Sequence, residues 1–97
     1  MAQIQKTDKS WKVSGDLTIA LAPSLLYESR YIPSQDRLVI NLAEVGHVDT
    51  STISLMFEWL RHAQKKSCNL TFTHIPKNLQ SLMALYGVTE LIPQSKH

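Results

Sequence analysis

The feature that most constrains this chain is an apolar run followed by a polar turn and then by a helical pattern. Residues Leu38–Leu42 form a nearly continuous apolar run, which is typical of a buried central strand. Residues Ile53–Ala63 repeat apolar side chains at helical spacing. Between them lies His47-Val48-Asp49-Thr50-Ser51-Thr52. We therefore expect a strand to pass into a helix through a turn that carries one acidic residue and several hydroxyls.

We expect function to reside at this turn. The N-terminus of a helix leaves backbone N–H groups unpaired and carries the positive end of the helix dipole. Asp49, Thr50 and Ser51 would therefore lie where a phosphate or a partner protein can be bound. The alternative is structural, because Asp, Ser and Thr cap helices and contribute ~0.5–2 kcal/mol in doing so. Three successive capping residues are more than one helix needs.

The rest of the chain predicts an α/β fold. Residues 4–7 and 11–15 alternate apolar and polar side chains around a turn, as in a β-hairpin. Further elements are expected in this order: a short helix at Ala22–Tyr31, a strand at Leu70–Thr73, a helix at Lys77–Tyr86 ended by Gly87, and a last short strand at Val88–Ile92. The segment from residue 37 to residue 73 reads as a strand, a helix and a parallel strand.

We therefore predict one domain over residues 1–97. Its architecture is a mixed β-sheet of about 4–5 strands with an N-terminal β-hairpin, covered mainly on one face by about 3–4 helices.

Composition argues against several classes of function. The net charge is only +2, and the Lys and Arg residues are scattered, so nucleic acid is not an expected partner. Cys68 stands alone and no His has metal-ligand spacing, so neither a metal nor a disulfide is expected. Only three glycines occur, without a phosphate-binding loop or a nucleophile elbow, so we expect neither a cofactor nor enzymatic activity.

We do not expect this chain to insert into a membrane. No apolar run approaches the ~18 residues that a membrane-spanning helix needs. The N-terminal residues also lack the apolar core of a signal peptide. The sequence therefore predicts a cytoplasmic protein without direct membrane insertion.

Four segments together carry a resemblance to a known family. They are Ser14-Gly15-Asp16-Leu17, Leu38-Val39-Ile40-Asn41-Leu42, Val48-Asp49-Thr50-Ser51, and the stretch from Leu82 through Gly87-Val88. With their order along the chain, they make it resemble a STAS domain, the family of sulfate transporters and anti-sigma factor antagonists. Within that family it is most similar to MlaB-like subunits of Mla-type phospholipid ABC transporters, which share Val-Asp-Thr and a helix end like Ala63-Gln64-Lys65-Lys66.

The resemblance implies a non-catalytic interaction subunit. In Mla-type subunits the threonine that matches Thr50 is the functional hydroxyl at the contact with the ATPase. The chain would then bind and regulate the cytoplasmic ATPase of a phospholipid transporter that serves outer-membrane lipid asymmetry. It would be associated peripherally with the inner membrane through that partner.

The family also implies an alternative, an anti-sigma factor antagonist whose partner is an anti-sigma factor kinase. In such antagonists the third residue of the turn is phosphorylated, and Ser51 matches that residue. Phosphorylation would therefore fall on Ser51 or Thr50. Thr52 occupies the family's usual glycine position, which favours Thr50 over Ser51 as the functional hydroxyl.

The helix after the turn predicts a second part of the site. At about 100° per residue one of its faces is assigned to the core: Ile53, Met56, Phe57 and Leu60. Leu55 and Trp59 lie about 200° and 240° around from Ile53, beside His62. We expect Leu55, Trp59 and His62 to form an exposed partner-facing patch with Trp59 as its anchor. The alternative is that a neighbouring loop covers Trp59.

Overall fold

The computed structural model describes residues 3–7, 10–17 and 37–94. In this part of the chain one sheet contains, in spatial order, β1 (Gln3–Lys6), β2 (Ser10–Leu17), β3 (Arg37–Val48) and β4 (Asn69–Thr73). The helices are α1 (Thr50–Lys65), α2 (Lys77–Leu85) and a short 3₁₀ helix (Thr89–Leu91). The helix predicted at Ala22–Tyr31 lies outside the described residues. None of the described helices is both long and apolar enough to cross a membrane.

The sheet is mixed, as predicted. Strands β1 and β2 pair antiparallel and form the expected N-terminal hairpin. Strand β3 pairs in parallel with β2 on one side and with β4 on the other. The crossover from β3 through α1 to β4 is therefore parallel, and the α/β class of the fold is confirmed.

One face of the sheet builds the core together with the helices. Its buried side chains alternate along the strands: Trp11 and Val13 from β2, Leu38, Ile40 and Leu42 from β3, and Leu70 and Phe72 from β4. Side chains between them, such as Lys12 and Val39, are exposed or half-buried. This alternation explains why the helices cover that face, because each strand offers only one apolar side.

Strand β3 runs six residues beyond the end of the predicted strand at Leu42, because two irregularities preserve its buried face. Its register with β2 shifts by one residue between Asn41 and Glu44, and again between Val45 and Val48. Each shift inserts one extra residue in β3, as in a β-bulge. Val45 is therefore buried, although strict alternation after Leu42 would turn it outward, and Val48 packs against the core, although strict alternation after Val45 would turn it outward.

The partner-facing patch predicted on the helix is wrong for Leu55 and Trp59. Leu55 is 3% exposed and Trp59 is fully buried. The ring of Trp59 packs against Phe72 of β4 with a centroid distance of 6.2 Å. The buried arc of α1 is rotated from the predicted one, so that Phe57 and Leu60 lie at its margin and are only partly buried.

The prediction of a last strand at Val88–Ile92 is also wrong. Gly87 has a φ of 67°, and the N–H of Val88 donates to the carbonyl of Met83 at 3.0 Å, so α2 ends in a Schellman motif. The chain then forms the 3₁₀ helix and reaches the edge of β4, where the N–H of Phe72 donates to the carbonyl of Pro93 at 3.0 Å and Gln94 bridges Phe72.

We predict that Trp59 stabilises the fold through its buried ring. Trp59→Ala should lower the free energy of unfolding by about 3–5 kcal/mol, because it leaves a large cavity beside Phe72. Trp59→Phe should lose less than half as much, since the buried indole N–H has no hydrogen-bond partner in the described residues. Denaturant unfolding measures both. Leu85→Ala is the control, because Leu85 is exposed and should change stability by less than ~0.5 kcal/mol.

Candidate functional site

The turn between β3 and α1 is held by a reciprocal set of helix-capping hydrogen bonds. Asp49 is the N-cap, and its Oδ1 accepts the backbone N–H of Ser51 at 2.9 Å. The backbone N–H of Asp49 donates to Oγ1 of Thr52 at 3.1 Å, which completes a capping box. Thr52 is buried, so its hydroxyl belongs to the interior. Asp49 and Thr52 therefore have a structural function at this helix end.

Ser51 takes part in the same arrangement. Its hydroxyl donates to Oδ1 of Asp49, the oxygen that also accepts the backbone N–H of Ser51. The side chain is half-buried. The hydroxyl proton of Ser51 is therefore donated to Asp49 and is not available to a partner.

Thr50 differs from its neighbours because its side chain is exposed and takes no part in the cap. Its hydroxyl lies 3.1 Å from the hydroxyl of Tyr86, the residue that follows α2. The contact joins the beginning of α1 to the end of α2 at the protein surface. It places one polar group from each helix next to the other.

Tyr86 was not predicted as a site residue. The residue is about half exposed, at 52%, and the preceding Leu85 is 76% exposed. Large exposed apolar side chains beside polar groups are typical of protein interfaces. The signal available in the sequence was an aromatic residue at the end of a short helix whose buried residues are Leu79 and Met83.

His62, the third residue of the predicted patch, is partly exposed but stands among charges. Its Nε2 lies 3.8 Å from Oε2 of Glu58, and 21% of its side chain is accessible. Glu58 also accepts hydrogen bonds from Arg61. That contact lowers the pKa of Glu58 and raises the pKa of Arg61. This face of α1 is therefore a surface with paired charges rather than an apolar patch.

A second polar cluster lies beside the turn, at the ends of β2 and β3. Oδ1 of Asp16 accepts the backbone N–H of His47 at 2.8 Å and lies 3.2 Å from His47 Nδ1. The backbone hydrogen bond from His47 is the main cause that lowers the pKa of Asp16. Among the described residues, no group of three or more His, Cys, Asp or Glu side chains could hold a metal ion.

Comparison with known proteins gives a family match over nearly the whole chain. The model of the family described as "Mlab, STAS domain" matches residues 2–93. No curated protein matches the sequence.

Solved structures give the same fold. An anti-sigma factor antagonist from Mycobacterium paratuberculosis has a TM-score of 0.78 at 16% identity, covering 100% of this chain and 86% of that one. The anti-sigma factor antagonist SpoIIAA in its unphosphorylated form has a TM-score of 0.70 at 10% identity, covering 97% and 86%. A sulfate transporter family protein from Wolinella succinogenes has a TM-score of 0.69 at 14% identity, covering 86% and 69%. At these identities the likeness shows the fold alone.

We predict that the hydroxyl of Thr52 is essential to the cap. Thr52→Val keeps the shape of the side chain but leaves the backbone N–H of Asp49 without this acceptor, so stability should fall by about 1–3 kcal/mol. Thr52→Ser keeps the hydroxyl and should lose less. Chemical denaturation of the wild-type protein and the two variants measures their free energies of unfolding. Equal losses of stability in both variants would contradict the assigned hydrogen bond.

Proposed function

The chain belongs to the STAS domain family, and from that membership we propose that it is a non-catalytic interaction subunit of an Mla-type phospholipid ABC transporter. In this proposal it binds and regulates the cytoplasmic ATPase subunit. It is held at the inner membrane by that partner. The description of the matching family model supports the transporter branch of the family.

The observation that carries the proposal is the different use of the hydroxyls in the turn. Thr52 and Ser51 are engaged with Asp49 in the cap. Thr50 is the one whose side chain is exposed and faces Tyr86. A partner that approaches the beginning of α1 therefore meets Thr50 first.

We define the docking surface as Thr50, Leu85 and Tyr86. It combines an exposed aliphatic side chain, an exposed aromatic ring and two adjacent hydroxyls. Tyrosine is frequent among interface hot spots, because one side chain supplies both apolar area and a hydrogen bond. This surface replaces Leu55 and Trp59, which are buried, as the region where the ATPase is proposed to bind.

Direct measurement of ATPase binding tests the proposal. Tyr86→Ala should weaken the affinity of the purified chain for the ATPase subunit about tenfold or more, which corresponds to about 1.4 kcal/mol. Thr50→Ala should weaken it less, because only a hydroxyl and a methyl group are removed. Ser81→Ala is the matched control, since Ser81 is an exposed hydroxyl on α2 outside the docking surface.

Isothermal titration of each variant against the same ATPase gives these values. If Tyr86→Ala and Thr50→Ala both bind like Ser81→Ala, the docking surface is wrong. If the wild-type chain does not bind the ATPase of its own transporter, the proposed function is wrong.

The second candidate function is an anti-sigma factor antagonist, and the position of Ser51 favours it. Ser51 lies in the first turn of α1, where backbone N–H groups and the helix dipole stabilise added negative charge. A phosphate would add about −1.5 to −2 charges. The dipole would favour these charges, whereas the adjacent carboxylate of Asp49 would oppose them.

Phosphorylation separates the two functions. If the chain is an antagonist, incubation with its anti-sigma factor kinase and ATP should add one phosphate, seen in the intact mass. The phosphate should be absent in Ser51→Ala and retained in Thr50→Val, or the reverse if Thr50 is the acceptor. An unchanged mass in the wild-type chain would contradict this second function.

A further inference from the structure

The second bulge of β3 leaves two backbone groups that the β2–β3 ladder does not pair. On β2 only Asp16 stands between Gly15 and Leu17, whereas on β3 both Gly46 and His47 stand between the matching partners. An extra residue of this kind interrupts the ladder and redirects the strand. The backbone N–H of His47 and the carbonyl of Gly46 therefore need other partners.

Both groups are satisfied by side chains from neighbouring elements. Oδ1 of Asp16, from β2, accepts the N–H of His47 at 2.8 Å. Nδ2 of Asn78, from the first turn of α2, donates to the carbonyl of Gly46 at 2.9 Å. Oδ1 of Asn78 also accepts the backbone N–H of Leu79 at 2.9 Å, which fixes the orientation of the amide. We call Asp16, Gly46, His47 and Asn78 the bulge clamp.

The carboxylate of Asp16 approaches Gly46 so closely that a side chain at position 46 would have to displace it. A Cβ at Gly46 would lie 2.6 Å from Oδ1 of Asp16, which is shorter than real Cβ contacts allow. Within the described part of the chain, atoms of Asp16 are the only ones that such a Cβ would meet within 4 Å. The steric cost of alanine at this position therefore comes from its contact with Asp16.

The bulge clamp joins the strand that leads to Thr50 to the helix that leads to Tyr86. The end of β3 leads through Val48 and Asp49 into Thr50, whereas Asn78 begins the helix that ends beside Tyr86. A hydrogen bond from Asn78 to β3 thus fixes α2 relative to the strand from which α1 starts. We propose that Asp16 and Asn78 are positioning residues that keep Thr50 and Tyr86 in contact.

The effect of the bulge clamp on the Thr50–Tyr86 contact can be measured in the free protein. Its role in binding rests on the proposed function. In Asn78→Asp the side chain keeps the oxygen that accepts the N–H of Leu79 but loses the amide that donates to Gly46. NMR should then show a weaker nuclear Overhauser effect between the ring of Tyr86 and the side chain of Thr50. Ser81→Ala, on the same helix, should leave this effect unchanged. An unchanged effect in folded Asn78→Asp overturns the positioning role.

A double-mutant cycle tests the Asp16 half of the clamp. Gly46→Ala should lower the midpoint of denaturant unfolding in the wild-type background, and should lower it much less when Asp16→Ala has removed the carboxylate. If Asp16→Ala does not fold, Asp16→Ser replaces it, because serine also leaves room at Gly46. Equal effects of Gly46→Ala in both backgrounds overturn the assigned contact.

Binding to the ATPase subunit gives the third readout. Asn78→Asp and Asp16→Ala should each weaken the affinity about threefold to tenfold while the protein stays folded at the assay temperature. Wild-type affinity in both variants, together with a weakened Thr50–Tyr86 effect, overturns the link between the clamp and docking. If the wild-type chain does not bind, the proposed function fails, and the NMR result still decides whether the clamp positions the two helices.

Discussion

The fold depends on strand β3 keeping its apolar side chains on the core face over its whole length. Because side chains alternate along a regular strand, the three-residue spacing from Leu42 to Val45, and again from Val45 to Val48, would turn the next valine away from the core. Two bulges in β3 each absorb one residue, so that Val45 and then Val48 face the core. The bulges expose backbone N–H groups, which local acceptors satisfy: Asn41 accepts from Ala43, and Asp16 accepts from His47. The strand can therefore continue to the point where α1 begins.

The turn at the end of β3 holds the beginning of α1, and the proposed docking surface lies outside its hydrogen bonds. Asp49 and Thr52 exchange hydrogen bonds in a partly buried setting, where an unpaired group costs about 1–3 kcal/mol. These groups cannot be offered to a partner without loosening the helix. The hydroxyl of Thr50 takes no part in the helix cap, and its contact with Tyr86 lies at the surface. The proposed docking surface therefore lies where the beginning of α1 meets the end of α2.

The sequence predicted what local patterns determine. The apolar run at Leu38–Leu42 and the helical spacing after Thr50 predicted β3, α1 and their parallel crossover. The predicted strand ends with the apolar run at Leu42, whereas β3 continues to Val48 through two bulges that depend on its pairing with β2. The burial of Trp59 depends likewise on Phe72, and the Thr50–Tyr86 contact spans 36 residues. Contacts of this range leave no periodic signal within one element.

The weakness of the Thr50–Tyr86 contact in the free protein suits a docking surface. A hydrogen bond between exposed hydroxyls adds little stability, because water competes for both groups. A partner can therefore replace it at low cost and gain two hydroxyls that already lie 3.1 Å apart. Ordering a mobile side chain on binding costs ~0.5–1.5 kcal/mol, and this cost is smaller when the side chain is already ordered in the free protein. The placement depends on the relative position of α1 and α2, which the hydrogen bond from Asn78 to Gly46 fixes at the start of α2.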